Sequence, residues 1–537
     1  MDNRDNTQDK ERDHRKSIMR STLSVAVPTV LSRIMGYFRD VLQAYFLGTS
    51  GSADAFTIAY VIPNLLRRLT GEGAMTAAFV PVFTQLKEDK KKEEIWNFAN
   101  CFFYDLTLIM ASLTVIGILL APVLVKVIAI GFGGVPGKWE LTIILTRIMF
   151  PYMFLISLAA LAMAILNSFR KFFVPAFTPV LFNLAIISAA LLFATRAEEP
   201  AYVFAAGVVI GGVFQLAFQL PLLWKKGMRF KFGLSFKHPA VKKVGKLMIP
   251  GIFGVGISQI NFALSRILAS SLEEGSVSSL YYAGRVQELT LGVFSIALSI
   301  ALLPTFSEMV AKKDIPSLKR MLVFSTKLIV FVTAPAMVGL LILNRQIIEV
   351  LFQRGAFDAQ STTMSAACLF YFALGLPFLS GVKIFAPAFY SLKDTKTPVI
   401  VAFFVMISYL TLSFVLMGSM RVAGIALALS VSTLINFISL FILLERKIGK
   451  VGKKEIFVSA LKSLLFAGAM GAGVWIFIRQ FDFSRLEFLG KLGILGAAIC
   501  IGLAVYFFLN LLFNPQDLRS LKDVFSREKI LKDEEMT

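Results

Sequence analysis

Histidine is nearly missing from this chain, with His14 and His238 the only two in 537 residues. Cysteine is almost as scarce: Cys101, Cys368 and Cys500. No pair of these residues has zinc-ligand or redox spacing, and all three cysteines fall in apolar runs, so a disulfide framework is not expected. HExxH, the P-loop and G-x-S-x-G are also absent, which leaves no foothold for metalloprotease, nucleotide-hydrolysing or nucleophile-elbow chemistry. Without a Walker motif, ATP does not directly drive this chain. No metal or other cofactor is expected, and the sequence does not read as that of an enzyme. Residues 1–17 are polar and charged and lack the apolar core of a cleaved signal peptide; the first apolar helix is expected to act as an uncleaved one.

Acid is also in short supply: 34 Asp and Glu stand against 55 Lys and Arg, for a net charge of +21. What the chain has in abundance is apolar surface, at 56% hydrophobic residues and a mean hydropathy of +0.73. A soluble protein of this length would divide into several domains with far more polar surface. Apolar runs recur along nearly the whole sequence, each long enough to cross ~30 Å of hydrocarbon as a helix. Short barrel-type strands are missing, so helices are the remaining way to span a membrane. Spans are expected near 21–47, 53–85, 94–122, 140–166, 175–195, 201–224, 247–271, 277–310, 321–343, 362–390, 397–417, 422–444, 456–478 and 489–513. With the N-terminus inside, inner loops and both tails carry about 36 Lys and Arg and outer loops about 8, the asymmetry of the positive-inside rule. Basic stretches such as Lys87 to Lys92 and Lys225 to Lys246 therefore read as topology signals, not as a nucleic-acid surface.

A weak internal repeat runs beneath the spans. Pro81-Val-Phe83 is matched by Pro304-Thr-Phe306, and Ser168 and Pro175 by Ser391 and Pro398, all at an offset of 223 residues. Six spans fit within that period, and an even number keeps both copies in one orientation, giving a parallel repeat. The expected organisation is a cytoplasmic tail (1–20), an N-lobe of helices 1–6 (21–224), a basic cytoplasmic linker (225–246), a C-lobe of helices 7–12 (247–444), a final helix pair (456–513) and a cytoplasmic tail (514–537). Two parallel lobes suit alternating access, in which one lobe rocks against the other.

Charged groups inside spans are costly, at ~2.5–3.5 kcal/mol near the bilayer centre on insertion scales, and usually face a wet cavity. The first span carries Arg33, then Arg39 and Asp40; Asp40 lies seven residues beyond Arg33, on the same helical face. The second carries Asp54, then Pro63-Asn-Leu-Leu-Arg67-Arg68 and Glu72. It is longer than a bilayer requires, and Pro63 and the Gly71/Gly73 pair offer places to bend it. Arg68 and Glu72 are spaced to pair as i, i+4 neighbours, leaving Arg67 for a ligand. The eighth span carries Arg285 and Glu288 as i, i+3 neighbours, the seventh Arg266 and the tenth Lys383. Each alone reads equally as a structural ion pair or a snorkelling side chain. Together, four midspan arginines favour a cationic cavity and an anionic substrate, because the planar guanidinium binds phosphate oxygens bidentately.

The run from Ser32-Arg33 through Gly36 to Arg39-Asp40, then Asp54-Ala-Phe56, Pro63 to Arg68, Glu72-Gly73-Ala74 and Ala78 to Pro81, resembles the N-terminal signature of the MviN/MurJ family of lipid II flippases. Tyr281-Tyr282-Ala283, Arg285, Glu288-Leu289 and Asp394-Thr395-Lys396-Thr397-Pro398 resemble its later motifs. The likeness covers helices 1–12. It implies the multidrug/oligosaccharidyl-lipid/polysaccharide exporter superfamily: an all-α polytopic membrane protein of about fourteen transmembrane helices, with two parallel six-helix lobes and a C-terminal pair that forms a groove for a lipid tail. It further implies that lipid II, an undecaprenyl-diphosphate-linked muropeptide, is moved from the inner to the outer leaflet of the bacterial inner membrane. Arg33, Arg39, Arg67 and Arg285 would line the cavity as substrate-binding residues, with Asp40, Asp54, Arg68, Glu72 and Glu288 as supporting charges. Two positions depart from the family pattern. Gly284 stands where an aspartate commonly precedes the eighth-span arginine, and the seventh span offers Ser265 and Arg266 near the place where some members use a carboxylate for sodium. Membrane potential or protons are alternative drivers.

Expected partners are lipid II, membrane lipids and proteins of cell-wall synthesis, and no nucleic acid. Two other readings stay open at this point: an exporter of a different lipid-linked oligosaccharide or drug, and a non-transporting scaffold that recruits cell-wall enzymes. A cation exporter would be expected to place acidic groups, not arginines, at its centre.

Overall fold

The structure, a computed structural model, describes residues 2–61, 63–65, 75–89, 92–236 and 238–514. Among these, every regular element is helical, as expected where lipid offers backbone polar groups no partner and each segment satisfies its own. The α-helices are α1 (Asp2–Leu47), α2 (Gly51–Ala59), α3 (Met75–Asp89), α4 (Lys92–Leu119), α5 (Ala121–Ile128), α6 (Lys138–Ser168), α7 (Phe173–Phe193), α8 (Pro200–Ala217), α9 (Leu220–Lys226), α10 (Pro239–Ser270), α11 (Ser276–Ala311), α12 (Ile315–Phe352), α13 (Ala359–Ser391), α14 (Lys396–Ile448), α15 (Lys453–Ile478) and α16 (Phe488–Phe513). Nine segments among the described residues are long and apolar enough to cross a membrane: α4, α6, α7, the α8–α9 run, and α12 to α16.

Prolines and one strained residue decide where the long apolar runs break. Helix α2 stops at Ala59, four residues before Pro63, which has no N–H to offer the Ala59 carbonyl. The second span is thus interrupted ahead of its proline, while Gly71 and Gly73 lie outside the described residues. Helix α14 runs for 53 residues but turns sharply at Arg421, whose φ of 53° and ψ of −136° are non-helical. That break separates the spans expected over 397–417 and 422–444. Elsewhere, side chains satisfy the carbonyls that prolines set free. Tyr506 on α16 donates its hydroxyl to the Phe331 carbonyl at 2.8 Å, four residues before Pro335. Arg147 Nε donates to Ile118 at 3.3 Å, four residues before Pro122, and Thr178 donates to Pro175 at 2.9 Å, four before Pro179.

The chain forms two compact units, one of residues 1–278 with 354–357, the other of 279–353 with 358–537. In the first unit, Phe79, Phe83, Phe98 and Phe102 stack between α3 and α4 and bury against α6. A second apolar cluster joins α1, α2, α6, α7 and α8 around Phe56, Tyr152, Phe182 and Phe204. Helix α10 belongs to this unit, although the linker expected over 225–246 would begin a new lobe. In the second unit, α11 to α14 share a core that includes Phe306, Ile329, Phe385 and Leu440. Helices α15 and α16 pack on α12 through smaller clusters and through the ion pair of Lys491 with Glu349 at 2.6 Å.

Candidate functional site

Arg39 sits in α1, where its Nε and Nη2 both reach Asp40 Oδ1, at 3.1 and 2.7 Å. Its Nη1 donates to Asn183 Oδ1 on α7 at 3.1 Å, and Asn183 returns a bond to the Ser32 carbonyl at 3.1 Å. The Asp40 side chain is only 2% exposed, and a carboxylate so buried is tolerated when a cation and hydrogen bonds compensate its lost hydration. Arg39 thereby ties α1 to α7 and keeps its guanidinium plane fixed. Adjacent residues on a helix do not ordinarily face each other; the length of arginine is what lets it fold back onto Asp40. Arg33, six residues earlier, is exposed.

Asp54 is held in a buried network of hydrogen bonds. It is 1% exposed and its two oxygens accept four bonds. Oδ2 receives Lys138 Nζ at 2.8 Å and the Gly275 N–H at 2.9 Å. Oδ1 receives the Ser278 N–H at 2.9 Å and its hydroxyl at 2.8 Å. Lys138 also lies 4.2 Å above the Phe132 ring. One carboxylate thus gathers α2, the start of α6 and the N-terminus of α11, where it meets the orphan N–H groups and the positive end of the helix dipole. A reciprocal contact runs the other way, from the Gly51 N–H at the start of α2 to Glu274 at 2.5 Å. Gly51 and Glu274 are 223 residues apart, the offset of the expected repeat. The turn needs Gly275, whose φ is +87° and whose absent Cβ would lie 2.6 Å from the Thr49 carbonyl oxygen. Lys138, the buried partner of Asp54, is the charged side chain of this network that sequence reasoning missed. Its one signal was to be a cation among the few expected in the outer segments.

In the second unit, Arg285 on α11 pairs with Glu288 Oε2 at 2.8 Å, as their i, i+3 spacing predicted. Both remain partly open, at 32% and 41% exposure of the side chain. Beside them, a Cβ on Gly284 would meet nothing within 4 Å, so the space that an aspartate would fill in the family pattern is open. On the same helix, Gln287 donates to the Phe372 carbonyl at 2.8 Å and Ser295 to Ser380 at 2.8 Å, which fixes α11 against α13. Arg67, Arg68 and Glu72 lie outside the described residues.

The Asp394-Thr-Lys-Thr-Pro398 motif is a helix start. Asp394 accepts from the Thr397 N–H at 3.0 Å, the Thr397 hydroxyl at 2.7 Å and Lys447 at 2.7 Å. The bond from Lys447, together with those from Thr397, brings its carboxyl down to about 2. Among the described residues, no group of three or more His, Cys, Asp or Glu side chains converges as a metal site.

Comparison with known proteins places these features in a family. The family model for the lipid II flippase MurJ matches residues 43–488, which takes in Asp54, Arg67, Arg285 and the Asp394 motif. A probable lipid II flippase MurJ of Vibrio cholerae is 34% identical over 468 residues, covering 86% of this chain and 89% of that one. A lipid II flippase MurJ of Burkholderia cenocepacia is 34% identical over 502 residues, covering 91% and 96%. Among solved structures, a lipid II flippase MurJ in an inward closed conformation superposes with a TM-score of 0.77 at 28% identity, covering 91% of this chain and 98% of that one. An inward-facing multidrug transporter of the MATE family shares the fold, with a TM-score of 0.69 at 12% identity, covering 81% and 99%. The chain is a multi-pass, all-helical membrane protein that belongs to the MurJ family of lipid II flippases.

Proposed function

We propose that this protein carries lipid II, the polyprenyl-diphosphate-linked peptidoglycan precursor, from the inner to the outer leaflet of the bacterial inner membrane by alternating access. The observation that carries the reading is the family match through residues 43–488, joined to near-complete coverage of a solved lipid II flippase. Arginines are the chemistry such a substrate calls for. A guanidinium stays charged at any depth and offers a planar fork to two phosphate oxygens. In this reading Arg33, Arg39, Arg67 and Arg285 bind the diphosphate. Asp40 and Glu288 hold Arg39 and Arg285 in place, and Arg68 and Glu72 balance charge beside Arg67. The polyprenyl chain stays in lipid, with α15 and α16 offering it an apolar groove. Helices 1–6 and 7–12 form parallel lobes, and both termini face the cytoplasm, as the Lys/Arg asymmetry requires. Proteins of cell-wall synthesis are its natural neighbours. Complementation tests the reading: the chain should restore growth to a strain depleted of its own lipid II flippase, and the Arg285→Ala form, inserted at the same level, should not. Growth supported equally by both forms would refute the role of the arginine.

A further inference from the structure

The 22 residues from Lys225 to Lys246 hold eight Lys and Arg and no Asp or Glu. A topology signal needs such charge but needs no defined structure, and here the segment is held in place. After α9, residues 228–236 run without helix along the inner half of α4. Asn100 Nδ2 donates to the Arg229 carbonyl at 2.8 Å, and the Ser235 N–H donates to Asp105 Oδ1 at 3.0 Å. Arg229 Nη1 returns to the Trp224 carbonyl at 2.9 Å. Asn100 and Asp105 are 6% and 2% exposed. Both are polar side chains within an apolar span. Non-helical backbone at membrane depth has to find its partners inside the protein, and these two side chains supply them.

The same segment divides its side chains by face. Phe230 packs inward on Phe103, with ring centroids 5.1 Å apart. Phe232 leans its ring edge-to-face on Tyr104 at 5.2 Å yet stays 77% exposed, and Leu234 and Phe236 are 45% and 47% exposed. Asp105 lies about 18 Å along α4 from Glu93 at the helical rise, so the Ser235 end of the segment reaches well into the inner half of the span. Around it stand the exposed cations Lys225, Arg229, Lys231, Lys242 and Lys246, with the last two on one face of the first turns of α10. Asp105 is buried behind the segment and presents no charge to its outer face. Aromatic groups at acyl-chain depth, flanked by cations at headgroup depth along a stretch that itself carries no Asp or Glu, form a surface complementary to an anionic phospholipid.

We propose that residues 225–246 are an anionic-phospholipid binding strip, in which Phe232, Leu234 and Phe236 insert among acyl chains while Lys225, Lys231 and Lys242 hold the phosphate of a lipid such as phosphatidylglycerol. The strip shares no residue with the arginines assigned to substrate. The experiment places an environment-sensitive fluorophore on Phe232→Cys, in a chain whose native cysteines are replaced by serine, reconstituted in mixed phosphatidylcholine and phosphatidylglycerol vesicles. Nitroxide-labelled lipid of one headgroup or the other is added to both leaflets, so the reading does not depend on the orientation of the protein. Quenching by the labelled phosphatidylglycerol should exceed that by phosphatidylcholine about fivefold, the effect of one effective cation–headgroup contact. The preference should collapse in about 0.5 M salt, where exposed charges are screened, and in the Lys225→Gln/Lys231→Gln/Lys242→Gln variant. A fluorophore on Leu465→Cys, 63% exposed on α15, should be quenched equally by both lipids in either background, which controls for folding. Equal quenching by the two headgroups at position 232 would overturn the proposal, as would quenching there by aqueous iodide and by neither lipid.

Discussion

Replacing Asp54 by alanine should destabilise the protein more than any other single truncation among the described polar residues. The substitution strips a nearly inaccessible lysine of its counter-ion at 2.8 Å and leaves the Gly275 and Ser278 N–H groups without their acceptor. Removing one member of a buried ion pair costs ~3–5 kcal/mol because the other charge stays buried and uncompensated. We take about 4 kcal/mol, a thousandfold change in the folded ratio at ~1.4 kcal/mol per decade. Adding Lys138→Met removes the stranded charge, and the linear side chain fills much of the lysine volume over Phe132. The double variant should then regain about 2 kcal/mol and retain only the cost of the two unsatisfied N–H groups, ~1–3 kcal/mol. The assay is reversible unfolding in mixed micelles, followed by near-ultraviolet circular dichroism, for all four members of the cycle. A coupling of about 2 kcal/mol or more is expected for groups in one network. Losses that simply add to within about 0.5 kcal/mol, or an Asp54→Ala cost below ~1 kcal/mol, would refute the reasoning.

Three further outcomes follow from local geometry. Tyr506→Phe should cost about 1 kcal/mol, because the Phe331 carbonyl loses the hydroxyl that replaces the missing N–H of Pro335; in a Pro335→Ala chain, where the helix supplies that N–H, the same substitution should cost much less. Asp394 titrates at about 2 in the folded protein and near 3.9 when unfolded, so its stabilising effect is fully present above about pH 4 and is lost as pH falls through 2. The stability difference between the native chain and Asp394→Asn should accordingly be flat above about pH 4 and shrink below it in pH-dependent unfolding. Arg39→Lys should fail to complement a flippase-depleted strain, since an ammonium cannot copy a guanidinium that spans Asp40 and Asn183, and Arg39→Ala/Asp40→Ala should fail as well; full growth of the double variant, with protein level checked by immunoblot, would remove Arg39 from substrate binding.

Hydropathy made the helices legible: the described residues of the expected spans are helical almost throughout, although 53–85 is divided between α2 and α3 and 201–224 between α8 and α9, and nine segments are long and apolar enough to cross a membrane. Even the break in α14 was readable, because the expected ends at 417 and 422 bracket Arg421. Contact partners were less accessible. Asp54 and Lys138 are 84 residues apart, and no periodicity links them; only the folded chain shows that the aspartate closes a turn with Lys138, Gly275 and Ser278. Asp40 reads on a helical wheel as the neighbour of Arg33, yet it bonds Arg39, because side-chain reach and burial outweigh angular position. Arg285 and Glu288 were legible because i, i+3 spacing alone brings them together. The linker at 225–246 was read as charge only, since the pinning groups Asn100 and Asp105 lie in another span.

The account stands most directly on lipid II at the outer leaflet. In cells depleted of this protein, lipid II should become resistant to an added enzyme that cleaves the precursor only where it is exposed outside. Re-expression of the native chain should restore cleavage, and Arg285→Ala at equal abundance should not. Lipid II that remains fully cleavable from outside after depletion, with no other flippase present, would contradict the transport function itself.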